Sequence, residues 1–283
     1  MKIAKVHAHF KGVESFFSCP ICQTKMIVDE ASIKCENNHT YDLSKYKYIN
    51  FLRKTVNTPY TKELFDARRV IFEDEFYDDI LNKIVEIISS FETLEEKVVL
   101  DAGSGEGFFA ERILKNTPII SQMFACDIEK SAVILGARYA ENVKFFVGEI
   151  GNLPIKDKSV DIILNIFSPA NYDEFKRVLK PDGIMIKVIP NKNYLKELRQ
   201  AVGLSLKNDE YSNQSVLDLF NKNLNFIGNH YINKTFPLKL HQAFSFSQMT
   251  PMTFNIEKSE IDLEKLTEMT IDVQILVGRF KNV

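Results

Sequence analysis

Val98-Val99-Leu100-Asp101-Ala102-Gly103-Ser104-Gly105-Glu106-Gly107 is the stretch whose reading decides the fold. Its branched apolar residues predict a short buried strand ending at Asp101. Alternating glycines then predict a tight turn, and Phe108 to Leu114 reads as a helix. Such a unit places backbone N–H groups and the positive end of a helix beneath a ligand. Glycine is needed there because a Cβ would block the ligand and because φ can turn positive. The spacing Gly103-x-Gly105-x-Gly107 is shorter than the Gly-x-Gly-x-x-Gly fingerprint of dinucleotide binders.

Downstream the pattern alternates. Ile119 to Ile128 reads as a second strand ending in Asp127, an acid able to accept both ribose hydroxyls of a nucleoside. Cys126 beside it reads as a small buried filler. A helix over Lys130 to Tyr139 and a strand over Val143 to Val147 follow, then Gly148-Glu149-Ile150-Gly151-Asn152-Leu153-Pro154-Ile155. Ser159 to Ile166 is a fourth strand running into Phe167-Ser168-Pro169-Ala170. Residues 171–179 predict a short helix, Lys180-Pro181-Asp182-Gly183 a turn, and Ile184 to Ile189 a fifth strand. Alternating strands and helices predict an α/β, Rossmann-like parallel sheet with its ligand at the carboxyl ends of the strands. Asp101, Asp127, Glu149 and residues 165–169 all fall at such ends.

Ahead of the glycine loop, residues 61–72 and 78–91 read as helices, the second with a core stripe of Leu81, Ile84, Val85 and Ile88. Adjacent Arg68 and Arg69 point in different directions on a helix, which leaves one free to face a carboxylate or phosphate, while at least one reads as solvated surface. Tyr77 precedes the second helix and either closes over a ligand or caps the core. In the last third, residues 194–202 and 214–220 read as helices and 226–236 as a strand. Residues 245–254 read as apolar but irregular, and 271–280 as the strand that closes the sheet.

The N-terminal segment carries a different signal. Cys19-x2-Cys22, twelve residues, then Cys35-x3-His39 is spacing suited to tetrahedral Zn²⁺. Four protein ligands leave no open coordination position, so the metal is expected to be structural. Residues 25–28 and 32–34 predict two short strands between the ligand pairs. A unit this small needs metal to fold. His7 and His9 lie outside the pattern and read as surface residues of a mobile tail. Tyr and Lys interleave over Tyr41 to Lys54, either as a stacking and phosphate surface for RNA or as packing by Tyr46, Tyr48 and Phe51. Residues 55–59 read as the linker, dividing the chain into a zinc-binding RNA-recognition module with linker (1–57) and a larger domain (58–283).

Composition bounds the rest. The chain has 283 residues, 45% hydrophobic and 26% charged, which is globular and sufficient for one large and one small unit. A net charge of −2 excludes the whole chain as an electrostatic glue for nucleic acid, so any RNA contact needs a local basic patch. No apolar run reaches membrane-spanning length, and the first residues lack the apolar core of a signal peptide. Clustered cysteines in such a chain point to a metal site in a reducing cytoplasm.

The Asp101 glycine loop, Asp127, the Gly148–Pro154 loop and the Lys180–Gly183 turn, in that order, resemble the class I S-adenosylmethionine-dependent methyltransferases. The resemblance implies that the glycine loop holds the amino-acid end of the cofactor, Glu149 takes the adenine amine and the Ile150 N–H reaches the ring. With the zinc knuckle, Ala67-Arg68-Arg69, Phe167-Ser168-Pro169 and Gln248-Met249-Thr250-Pro251 added, the chain resembles the RlmA group of 23S rRNA guanine-N1 methyltransferases, some associated with macrolide resistance. That likeness implies zinc ligands Cys19, Cys22, Cys35 and His39, and cofactor contacts from Tyr77, Asp101, Gly103, Gly105, Gly107, Phe109, Ala110, Asp127, Glu149, Ile150 and Tyr194. It also implies a guanine in a hairpin loop of 23S rRNA as substrate, and a homodimer whose zinc modules help form the RNA cleft. Two positions depart from the group: that of Tyr194 is a histidine in some relatives, and Ser104 replaces a common cysteine.

Guanine N1 carries a proton and faces its pairing partner, so the base must be unpaired or flipped and must lose that proton. Asn165, Phe167 and Pro169 are the expected substrate contacts, with Phe167 stacking the base and Asn165 or nearby backbone reading its edge. No general base is named by the sequence. Two other readings compete: a small-molecule methyltransferase with an accessory zinc module, and a non-catalytic zinc-stabilised RNA-binding protein.

Overall fold

The structure is a computed structural model that describes residues 3–54, 56, 59–91, 95–203, 212–254, 256 and 261–281. The predicted strand of the opening motif is β5 (Lys97–Ala102), whose residues from Val98 onward are all buried, as expected of a parallel strand covered on both faces. It lies at the centre of an eight-stranded sheet of order β10-β11-β9-β8-β5-β6-β7-β4. The neighbours are β6 (Ile120–Asp127), β7 (Val143–Val147), β8 (Val160–Ile166) and β9 (Leu179–Pro190). All pair in parallel, while β11 (Glu268–Phe280) runs antiparallel between β9 and β10 (Leu224–Pro237). The last strand in sequence is therefore internal, and β10 forms the edge. The predicted turn Lys180–Gly183 lies within β9, where the pairing with β8 jumps from Leu179 to Ile184.

Alternation of side chains divides the core in two. Val99, Met123, Phe145 and Ile162 face one side, against α2 (Lys62–Glu73), α3 (Asp78–Ser89), α4 (Phe108–Asn116) and α5 (Lys130–Tyr139). Val98, Leu100, Phe124, Phe146 and Ile163 face the other. Much of that second face is covered by the N-terminal segment rather than by crossover helices. Phe17 packs edge-on against Phe124 at 5.4 Å and Phe146 at 5.7 Å, and Phe51 meets Phe146 at 5.9 Å. Burying such aromatic groups stabilises by about 1.5–3 kcal/mol each. Of the Tyr41–Lys54 aromatics, Tyr41 and Phe51 serve this packing, Tyr48 is buried on the first face, and Tyr46 stays half-exposed.

The knuckle itself is a small antiparallel sheet of β1 (Met26–Asp29), β2 (Ser32–Cys35) and β3 (Thr40–Asp42). Its chain then enters the large sheet, as β4 (Tyr48–Asn50) pairs in parallel with β7. The mobile tail expected around His7 and His9 is instead a helix, α1 (Ile3–Phe10), anchored by buried Val6 and Phe10. His9 is half-buried and accepts from Lys144 Nζ at 3.4 Å through Nδ1. Burial, then the charges of Lys144 and Lys47, hold its imidazole down to about 4. The stretch 245–254, expected to be irregular, begins in α9 (Leu240–Gln248) and continues through a short 3₁₀ turn at Pro251–Thr253. Among the described residues no helix is long and apolar enough to cross a membrane.

Candidate active site and metal centre

At the carboxyl ends of β5, β6, β7, β8 and β9 lies a cavity of about 1010 Å³. The glycine loop forms its floor. Gly103 has φ +83°, and a Cβ there would lie 1.8 Å from Ser168 Oγ, so glycine lets the two loops close on each other. Gly107 has φ +71° at the start of α4, where a Cβ would lie 2.5 Å from Phe145 Cζ. Of the predicted cofactor residues, Tyr77, Asp101, Gly103, Gly105, Phe109, Asp127, Glu149, Ile150 and Tyr194 line the cavity. Gly107 and Ala110 do not. They shape it from behind, Ala110 being fully buried in α4.

The acids differ in state. Asp127 accepts from Gly105 N at 2.7 Å through Oδ2 and from Glu129 N at 2.8 Å through Oδ1. Each oxygen retains a lone pair directed elsewhere, as a ribose diol requires. Asp101 is 2% exposed and its Oδ1 has no hydrogen-bond partner. Burial, with the charge of Asp127, pushes its carboxyl up to about 8. An orphaned acid beside a glycine cradle fits a ligand with an ammonium group and a positive sulfonium, which together supply a donor and favourable charge. Sequence reasoning missed Glu106, which is also buried in the cavity wall with an orphaned Oε1. Burial raises its carboxyl, and Arg68 and Arg69 oppose that rise.

Aromatic groups form the opposite wall. Tyr77 Oη and Tyr194 Oη are 2.7 Å apart, and the Tyr194 ring stacks on Phe167 at 5.4 Å with planes inclined by 29°. Phe167 is 37% exposed and sits at φ +53°, a left-handed conformation rare for an aromatic residue. Its loop is held from beneath by Asn165, whose Nδ2 donates to Ala102 O and Pro169 O, both at 2.9 Å. Asn165 is fully buried and lies outside the cavity wall, whereas Phe167 and Pro169 line it. Asn165 Oδ1 accepts from Lys187 Nζ, and Lys187 lines the cavity as well. Its signal in the sequence was a lone lysine inside the apolar run Ile184-Met185-Ile186-Lys187-Val188-Ile189.

Two motifs far apart in sequence meet at the rim. Arg68 donates to Met249 O at 3.1 Å, tying α2 to the Gln248–Pro251 stretch, while Arg69 lies 4.0 Å from the Tyr139 ring. The pair does diverge, but not into an anion contact and a solvated group: Arg68 meets a neutral carbonyl, and Arg69 is held between the Tyr139 ring and Glu73 at 3.7 Å.

The four predicted metal ligands converge, their ligand atoms all within 4.8 Å of one another. Cys22 Sγ lies 3.6 Å from Cys35 Sγ. His39 Nδ1 lies 3.5, 3.4 and 3.4 Å from the sulfurs of Cys19, Cys22 and Cys35. A tetrahedron with Zn–S of about 2.3 Å and Zn–N of about 2.05 Å has edges of about 3.8 Å and about 3.6 Å, so the donor set fits zinc. The Thr24 hydroxyl and backbone hold the Cys22 thiol down to about 5, a thiolate at neutral pH. The knuckle is fastened to the Gly148–Ile155 loop: Ser18 N donates to Pro154 O at 3.2 Å and Asn152 Nδ2 to Pro20 O at 3.0 Å. From the other side Arg177 holds the same loop through Leu153 O and Ile155 O, each at 2.8 Å.

Family comparisons agree with both halves. A profile described as "RlmA, N-terminal", a zinc ribbon, matches residues 17–54, and a "Methyltransferase domain" profile matches residues 99–183. The chain is 34% identical to the putative 23S rRNA (guanine-N(1)-)-methyltransferase YxjB of Bacillus subtilis, over 93% of this chain and 97% of that protein. It is 24% identical to the 23S rRNA (guanine(748)-N(1))-methyltransferase of Streptomyces fradiae, over 95% of this chain and 98% of that protein. A solved structure, the YcgJ protein of Bacillus subtilis, is 18% identical with a TM-score of 0.49, over 72% of this chain and 98% of that one. With a zinc knuckle strapped to the loop that borders the cavity and 34% identity over nearly the full length, the chain belongs to the RlmA family of S-adenosylmethionine-dependent 23S rRNA guanine-N1 methyltransferases.

Proposed function

We propose that this enzyme transfers a methyl group from S-adenosylmethionine to N1 of a guanine in a hairpin loop of 23S rRNA. The cofactor supplies an electrophilic methyl on a positive sulfonium. Tyr77, Asp101, Gly103, Gly105, Phe109, Asp127, Glu149, Ile150 and Tyr194 would hold it, with Gly107 and Ala110 shaping the loop behind them. The observation that carries the substrate reading is Phe167. An aromatic residue held at positive φ at the end of β8, exposed and stacked on Tyr194, offers a face to a flipped base. Pro169 borders that position, and Asn165 supports it by fixing the loop.

Exposed cation–aromatic pairs at the amino end of β4 offer RNA a second contact, away from the slot. Arg138 lies 4.4 Å and Lys45 5.1 Å from the Tyr46 ring, at the junction of the knuckle and α5. Such pairs bind phosphate and stack on unpaired bases. In this reading residues 1–57 recognise RNA and residues 58–283 carry the transfer. The enzyme works in the cytoplasm, where ribosomal RNA is made, as a homodimer whose zinc modules border one RNA cleft.

The test is methylation of 23S rRNA fragments followed by primer extension. N1-methylguanine blocks Watson–Crick pairing and stops the polymerase, so a new stop one nucleotide before a loop guanine is expected. Phe167→Ala should abolish the stop while leaving cofactor affinity near normal. Loss of cofactor binding instead would remove the stacking role.

A further inference from the structure

Lys187 is a buried cation that no acid among the described residues neutralises. It lies on β9 opposite Asn165 of β8, and the two side chains share the face that carries Met185, Ile189 and Leu276. The lysine is 4% exposed, yet its ammonium end reaches the cavity wall beneath Ser168. Nζ donates to Asn165 Oδ1 and, at 2.9 Å, to the Ser168 carbonyl. Asn165 cannot turn its amide around, because Nδ2 is committed to two carbonyls. Both partners of Nζ are thus fixed neutral acceptors. Burial alone holds the ammonium down to about 8. The titratable groups that share the cavity with it are the acids Asp101, Glu106, Asp127, Glu129 and Glu149, the arginines Arg68 and Arg199, and the phenols of Tyr60, Tyr77, Tyr172 and Tyr194.

We propose that Lys187 is the general base that takes the N1 proton of the target guanine. This rests on the guanine-N1 reading above. A neutral lysine has two N–H bonds and one lone pair. Here the two N–H bonds are used by Asn165 and Ser168, which leaves the lone pair as the remaining tetrahedral direction. The guanine stacked on Phe167 lies next to Ser168. As transfer proceeds, the N1–H bond breaks and its proton passes to Nζ. The N1 electron pair forms the new N–C bond, and the methyl–sulfur bond breaks with its pair left on sulfur. The charge balances: sulfonium and neutral lysine give a neutral thioether and an ammonium, which returns its proton to solvent after product release. Lysine suits this task only where its surroundings keep it partly neutral near physiological pH, which an apolar face does and a carboxylate partner would prevent.

The test uses the zinc-loaded protein and the fragment that wild type methylates. Single-turnover methyl transfer is measured from about pH 6 to about pH 9.5, alongside Lys187→Met and Lys187→Arg, in each case with cofactor affinity and melting temperature. Wild-type rate should rise through a midpoint of about 8. Both variants should lose that limb and fall about 10²–10⁴-fold at neutral pH, since a thioether is not basic and a guanidinium stays protonated. Independently of turnover, NMR of apoprotein labelled at lysine Cε should show a resonance titrating at about 8 that disappears in Lys187→Met. An active wild type beside an equally active Lys187→Arg enzyme, or an unshifted pH profile in Lys187→Met, overturns the base assignment alone. A wild type that methylates no guanine overturns the substrate reading and the base assignment with it.

Discussion

Gly107→Ala isolates what the glycine loop demands. Gly107 sits at φ +71°, and an added Cβ would lie 2.5 Å from Phe145 Cζ and 2.6 Å from Cε1. Left-handed backbone costs an L-residue about 1–2 kcal/mol. Ordinary carbon contacts are about 3.5–4.0 Å, so the ring must retreat by about 1 Å. It has little room to do so. Phe145 is fully buried, and its ring also fills the space where Gly136 would carry a Cβ, 2.6 Å away. Overpacking of this kind costs a further 1–3 kcal/mol or so, giving about 2–5 kcal/mol in total. Gly12→Ala is the control: φ is +90° and nothing lies within 4 Å of its Cβ, so backbone strain of about 1–2 kcal/mol acts alone. Urea unfolding followed by circular dichroism measures both, with unchanged slopes required for comparison. Adding Phe145→Leu to Gly107→Ala should recover at least about 1 kcal/mol relative to the sum of the single changes. Equal destabilisation by Gly107→Ala and Gly12→Ala, with no coupling to Phe145, would refute the packing argument.

Other outcomes follow from the site and the core. Asp127→Asn places an N–H₂ group against a backbone N–H and removes a ribose acceptor, so S-adenosylmethionine affinity should fall about 10–10³-fold by calorimetry, at roughly 1.5–3 kcal/mol per charged bond lost. Zinc removal by chelation should weaken cofactor binding as well as melt the knuckle, because Ser18 and Pro20 hold the Asn152–Pro154 loop; unchanged affinity would show that loop to be self-supporting. Asp101 has a raised carboxyl, so the folded apoprotein binds the extra proton and loses stability as pH rises from about 4 to about 8. Asp101→Asn should flatten that loss, the difference reaching the order of a few kcal/mol at the alkaline end. His9 has the opposite sign: its depressed imidazole supports the fold above about 6.5 and loses that support as pH falls toward about 4, so His9→Gln should soften acid unfolding.

Much of this was legible because the decisive signals are local. A buried parallel strand reads as a continuous apolar run, a positive-φ turn requires glycine, and four zinc ligands come in two close pairs. Those constraints act within a dozen residues, and β5, α4, α5, β7 and the metal site followed from them with errors of a residue or two at most. Phe167 and Asp127 stand out because strand ends in such a sheet carry the ligand, and Glu149 through the family resemblance of its loop. Asn165 was marked by the same rule, and only the hydrogen bonds around it place it under the loop instead of in the wall.

The sequence by itself determined that this chain has a zinc knuckle, a Rossmann-like sheet and a cofactor loop, since period, glycine spacing and ligand spacing are properties of short segments. Tertiary structure alone decided how these are joined. The knuckle covers one face of the sheet and lends it β4, because Phe17 and Phe51 find their burial against Phe124 and Phe146 across more than seventy residues of chain. It brought Arg68 to Met249, and turned one lysine in an apolar strand toward the slot beneath Ser168. Such contacts depend on which faces meet after the chain has folded, and no spacing rule encodes that.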